Sequence, residues 1–193
     1  MIKSKDRGFY FGASDTDKII GSWSSDTFAK WWLQKLSLSR NNFENGYTLA
    51  GTHFEHRILD SLNVSGMVLD KQIIIEDLRL RVNLDGNNLD TVYECKTYEL
   101  EKGYSLPLKH INQVQVQMFA TGYRKAYIVS YGLTEKDYKN YLTPIDKDRV
   151  RLFPIPYREE WINSTYLPRL KYLALCLSQG KFPSEKELMK HYA

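Results

Sequence analysis

Three residues near the middle of the chain could do chemistry together: Asp85, then Glu94 and Lys96 on a run of strand-forming residues. Strand side chains alternate between faces, so Glu94 and Lys96 point one way and Cys95 between them points the other. If a strand ending at Asp85 turns through Gly86-Asn87-Asn88 and pairs with Thr91–Lys96, Asp85 falls beside Glu94. A pair of carboxylates and an ammonium then converge. The carboxylates can hold a hard divalent cation through oxygen, and the lysine can orient or deprotonate a water beside it. The same residues also suit a plain hairpin, because Asp-Gly is a strong turn signal and Glu-x-Lys is common on exposed strands. Taken alone, they leave both readings open.

The elements that would position them follow from periodicity. Ser14-Asp15-Thr16-Asp17 starts a helix, with Ser14 as N-cap and Asp17 in capping-box spacing, which stops at Gly21. A second short helix begins at Asp26 and carries Phe28, Trp31, Trp32 and Leu36. After a polar loop over Asn41–Gly46, a longer helix from about Thr48 to Leu62 places Leu49, Phe54, Ile58 and Leu62 on one apolar face. Glu55 lies at the edge of that face. Strands are expected over Gly66–Ile75, bent near Lys71, then Leu78–Leu84 and Thr91–Lys96. The run Gln113-Val114-Gln115-Val116-Gln117-Met118 alternates like a strand. As part of a helix over Lys109–Thr121 it instead sets Gln113 and Gln117 on one face. A strand at Ala126–Tyr131, an edge strand at Val150–Ile155 closed by prolines, an amphipathic segment over Glu159–Leu177 and a short helix from Glu185 complete the chain. The order is α-β-β-β-α-β: an α+β domain with a mixed central sheet flanked by helices, expected as a single domain over residues 1–193.

Asp85 with Glu94-x-Lys96 resembles the core of the PD-(D/E)xK nuclease superfamily. Gly12-Ala13-Ser14-Asp15, Gly51-Thr52-His53-Phe54-Glu55 and Gln113 to Met118 through Thr121-Gly122 occur in the same order as in the YqaJ-type viral recombinases, relatives of the bacteriophage lambda exonuclease. The resemblance runs from about Arg7 to Tyr131 and is weaker in the C-terminal helical part. It implies a restriction-endonuclease-like fold and a metal-dependent 5′→3′ exonuclease acting on linear double-stranded DNA in phage or prophage recombination. Within it, Asp85, Glu94, Glu55 and the backbone carbonyl of Cys95 would hold one or two Mg²⁺ or Mn²⁺ ions. Lys96 would serve the attacking water, with Gln113 supporting that water or the lysine. Arg7, Ser14 and Gln117 would contact the DNA, the first two at its 5′ phosphate. Where the lambda enzyme has a tryptophan near that arginine, this chain has Lys3. Phe9, Tyr10, Phe11 and Trp23 remain as candidates for stacking on bases or for core packing. By the same analogy the partners are DNA ends, a single-strand annealing protein and further copies of the chain in a trimeric ring. An endonuclease, for restriction or for particular DNA structures, is the alternative within the fold. A DNA-binding module with a dead site is the alternative outside it, and the complete Asp85–Glu94–Lys96–Glu55 set argues against that one.

Composition agrees with such an enzyme. A length of 193 residues allows a real core, and a net charge of +4 permits a nucleic-acid groove without demanding one. Cys95 and Cys176 form no Cys-x-x-Cys, which argues against a zinc or iron–sulfur centre. His53 and His56 lack the further ligands zinc would need, and are expected at the surface or facing DNA. No apolar N-terminal run or membrane-length segment is present, so the expected location is the bacterial cytoplasm.

Overall fold

A computed structural model describes residues 8–39 and 46–191, with side chains over 8–39 and 50–190. Arg7 and the expected loop at 41–45 lie outside the described residues. The rest groups into two compact units, one of residues up to 39, 73–82 and 158 onward, the other of 46–72 and 83–157.

In the first unit, β1 (Phe11–Gly12) runs parallel to β4 (Leu80–Asn83), with Phe11 opposite Leu80, and β3 (Gln72–Ile75) lies on the far side of β4. The chain then enters a 3-10 turn at Ala13–Asp15 that continues as α1 (Thr16–Ile20). Ser14 is therefore not the N-cap, and the box expected with Asp17 does not form. The turn starts earlier, so Asp15 is the residue that reaches back, accepting from the Gly12 N–H at 3.0 Å. The same carboxylate takes the Trp31 indole N–H at 3.0 Å and the Lys35 ammonium at 2.8 Å. Ser25 caps α2 (Asp26–Lys35) by accepting from the Phe28 N–H, as a serine before an amphipathic run should. Phe11, Phe28 and Trp32 are wholly or almost wholly buried, and Trp23 stacks on Tyr172 at 5.8 Å. Of the candidate base-stacking aromatics, Phe11 and Trp23 thus belong to the core, while Phe9 is 47% exposed. The C-terminal amphipathic segment folds as one helical stretch, α6 (Glu159–Trp161) and α7 (Leu167–Ser178), joined by a π-helical turn over Ile162–Tyr166.

The second unit is built on a five-stranded mixed sheet of order β2-β5-β6-β7-β8. β2 (Val68–Leu69), β5 (Gly86–Asn87) and β6 (Thr91–Glu99) pair antiparallel; β6 and β7 (Lys125–Leu133) pair parallel; β8 (Val150–Pro156) returns antiparallel at the edge. Helix α3 (Gly46–Ser61) supplies Ala50, Phe54, Ile58 and Leu59 to a core shared with Tyr93, Cys95, Val129 and Tyr131. Cys95 therefore points away from Glu94 and Lys96, as strand alternation requires. Helix α4 (Leu108–Thr121) contributes Val114, Gln115 and Met118 to the buried set and ends at Gly122, whose φ of 75° is open to glycine at little cost.

Two strand expectations needed revision. The first strand breaks at Asp70, which adopts a left-handed φ of 55°, and so divides into β2 and β3. The hairpin turn is not Gly86-Asn87-Asn88. Gly86 and Asn87 are buried strand residues, and the chain reverses over Asn88–Thr91, where the Asn88 N–H donates to the Thr91 carbonyl at 3.1 Å. Glycine at 86 answers to packing: a Cβ there would sit 2.9 Å from Met67 Sδ and 3.1 Å from Leu59 Cδ1. A short helix, α5 (Glu135–Lys139), was not anticipated, and α8 (Glu185–His191) was. Among the described residues no helix is long and apolar enough to cross a membrane.

Candidate active site

Register brings the acids together. Gly86 faces Tyr93 and Leu69 faces Gly86, so one further step sets Asp85 beside Glu94 and Asp70 beside Asp85. The Asp70 N–H donates to the Asp85 carbonyl at 3.4 Å, and the Asp85 carboxylate accepts from the Cys95 N–H at 2.8 Å. This last bond fixes Asp85 where β5 has just ended and the ladder would otherwise be open. The convergence expected from Asp85 and Glu94 is therefore present, although the turn that produces it lies later in the chain.

Glu94 is 1% exposed, and its oxygens are crowded with donors. The Lys96 ammonium and the Gln113 amide both donate to Oε1 at 2.5 Å, and the Gln117 amide donates to Oε2. Both glutamines come from one face of α4, at i and i+4, as helical spacing requires. Gln117 is wholly buried, so it does not face DNA as expected. It anchors Glu94, and its Oε1 has no partner of its own. Gln113 is half-buried, with its amide N–H committed to the same carboxylate.

Electrostatics place Glu55 in the same neighbourhood. Burial, and then the Glu94 charge, raise the Glu55 carboxyl above its ordinary value, with His56 and Lys96 pulling the other way. Burial raises Asp85 well above its ordinary range, and the charges of Glu94 and Glu55 add to the effect against Lys96 and the Cys95 N–H. Burial pulls Lys96 down, but Glu94 and Asp85 outweigh it, and the ammonium is held more firmly than in water. Glu55 also lies with His56 and Asp70 in a cluster whose ligand atoms are all within 4.8 Å of one another. His53 and His56 are both exposed, as expected, with the His56 Nε2 3.0 Å from the Asp70 carboxylate and the His53 ring stacked on Tyr141 at 4.8 Å. Asp70 escaped the sequence analysis. Its signal is the strand register, visible only once β2 and β5 are known to pair.

The donor set fits a divalent cation. The half-buried Asp85 and Glu55 carboxylates are only partly offset by Lys96, and oxygen donors of this kind suit Mg²⁺ or Mn²⁺. Ser14, the other expected DNA contact described here, is exposed on the 3-10 turn of the first unit.

No family model and no curated protein sequence matches the chain. Solved structures do match its fold. The alkaline exonuclease of Laribacter hongkongensis aligns over 97% of this chain and 95% of its own, with a TM-score of 0.66 and 18% identity. The same enzyme in complex with dAMP matches equally well. A phage-related exonuclease of Haemophilus somnus aligns over 95% and 96%, with a TM-score of 0.62 and 15% identity. The chain has the fold of these exonuclease structures.

Proposed function

We propose that this chain is a metal-dependent nuclease of the YqaJ and lambda-exonuclease type, hydrolysing phosphodiester bonds from the ends of linear double-stranded DNA. The observation that carries the proposal is the buried Glu94 carboxylate, held by Lys96, Gln113 and Gln117 with Asp85 at its side. A structural carboxylate needs one good partner. Here three donors fix Glu94 in place, and the second acid forced close to it, with one backbone N–H of its own, leaves a charge for a further cation to offset. Asp85, Glu94, Glu55 and the Cys95 carbonyl would hold one or two Mg²⁺ or Mn²⁺ ions. Bound there, the ion would supply Lewis-acid stabilisation of charge developing on the phosphate.

The side chains do the rest. Gln113 and Gln117 fix the orientation of Glu94. Lys96 would orient the attacking water and help remove its proton. The fold shared with exonucleases, one of them seen with a nucleoside monophosphate, supports cutting at ends. The 5′→3′ direction rests on the sequence resemblance, with Arg7 and the exposed Ser14 as the contacts for a 5′ phosphate.

The test is nucleotide release with and without Mg²⁺ from linear duplex and from the same DNA as a closed circle. Release from the linear form alone is expected, faster from 5′-phosphorylated than from 5′-hydroxyl ends. Cleavage of the circle would make the chain an endonuclease, and early loss of a 3′ label would reverse the direction.

A further inference from the structure

One histidine near this site is not among the groups that hold Glu94 or Asp85. His110 occupies the first turn of α4, three residues before Gln113 and seven before Gln117, so the helix carries all three on one face. Its Nδ1 is 2.8 Å from the Tyr104 hydroxyl. Tyr104 is itself fixed by rings on two sides, Tyr98 at 5.4 Å and Phe153 at 5.5 Å. Tyr98 follows Glu94 and Lys96 at every second position of β6, on the same strand face. The Tyr104–His110 pair therefore lies over the stretch of β6 that begins with the reactive acid and ammonium. His110 is half-buried, and among the described residues its Nε2 has no hydrogen-bond partner. Burial, followed by the charges of Lys96 and Lys109, takes the imidazole down to about 4, so it is neutral at physiological pH. Burial also pushes the Tyr104 hydroxyl up to about 12, so it keeps its proton.

We propose that His110, clamped by Tyr104, hydrogen-bonds through Nε2 to a non-bridging phosphate oxygen of the strand being cut. In the tautomer in which the Tyr104 hydroxyl donates to Nδ1, the single imidazole proton sits on Nε2 and leaves a neutral N–H on a ring that feels the Lys96 and Glu94 charges. A third cation here would oppose metal binding, whereas a neutral donor contacts phosphate without altering the charge of the metal site. The inference rests on the nuclease reading and adds a substrate contact to it.

The experiment is a cycle between enzyme and substrate. Single-turnover cleavage is measured for wild type, His110→Ala, His110→Gln and Tyr104→Phe on duplexes with ordinary phosphates. It is repeated on duplexes carrying a methylphosphonate at each of the first few linkages. His110→Ala should be slower by roughly tenfold or more, the scale of a hydrogen bond to a charged group. At one linkage the methylphosphonate should slow wild type by a larger factor than it slows His110→Ala, because one of its contacts is already gone there. His110→Gln, which keeps an N–H, should recover part of the rate, and Tyr104→Phe should lose several-fold while retaining its ring contacts. Additive effects at every linkage, in whichever His110 variant is folded by circular dichroism, overturn the contact and leave the nuclease reading intact. A wild type that releases no nucleotide overturns both.

Discussion

Asp85 and Glu94 are neighbours with opposite standing in the metal-free fold. Glu94 is compensated by three donors, one of them a half-buried ammonium, whereas Asp85 has a single backbone N–H and two nearby like charges. Replacing Glu94 by glutamine would strand the Lys96 charge and set amide against amide. A loss of about 3 kcal/mol is expected, the scale for breaking a buried pair. Asp85→Asn removes repulsion and keeps an acceptor for the Cys95 N–H, so the metal-free protein should become more stable. Both changes should abolish cleavage. Thermal melts in a chelator check the signs, and a shift in the same direction for both would contradict this account of the site. The pH dependence follows. A carboxyl raised above its ordinary value, 3.8 for Asp85 and 4.5 for Glu55, stabilises the fold below that value and loses that contribution as pH rises through the folded pKa. The depressed His110 imidazole and Asp137 carboxyl work the other way, so the share of the raised acids is read as a difference: upward from about pH 4, metal-free wild type should lose melting temperature relative to Asp85→Asn. Mg²⁺ should restore more stability at pH 8 than at pH 5, since it binds only the ionised acids. A pH dependence identical in wild type and Asp85→Asn would refute the linkage.

At the scale of elements, the sequence disclosed what depends on local period and concealed what depends on register. Helix α3 was legible from Phe54 and Ile58, and the C-terminal helices from their amphipathic spacing. Glu94 and Lys96 sharing a face followed from strand alternation alone. The break at Asp70 and the true position of the turn did not: Gly86 packs closely on Met67 and Leu59 within the strand, and the turn falls later, where Asn88 Oδ1 accepts from the Thr91 N–H at 3.2 Å. Gln117 was misplaced for a related reason. A glutamine on a helix face looks solvated until the strand beneath is seen to carry a buried carboxylate. The packing role of Gly86 can be tested. Gly86→Ala should cost about 1 kcal/mol through overpacking. Adding Met67→Ala should return part of that, since it opens the space the new methyl needs. Chemical denaturation of the single and double variants measures the coupling. Strict additivity would mean that Gly86 matters for its backbone and not for its neighbours.

At the scale of the whole molecule, assembly is the property least written in either unit. The sheet edge at β8 is one place where copies could meet. It is a poor template, because Pro154 and Pro156 lack the N–H groups that a joining strand would use, and most of its side chains are exposed. Strand addition at that edge is therefore disfavoured by the chain itself, and any ring must close through other surfaces. The resemblance to lambda-type enzymes still motivates a closed oligomer, in which encircling the DNA would keep the enzyme on its substrate through many cuts. The prediction is a single species at three times the 22.6 kDa chain mass by light scattering, with digestion that continues along one duplex when excess competitor DNA is added. Replacing Leu152, which is 45% exposed on β8, with lysine should leave that mass unchanged if the edge takes no part. A 22.6 kDa monomer that still digests processively would remove the ring. Dissociation of the oligomer by Leu152→Lys would instead return the interface to the β8 edge.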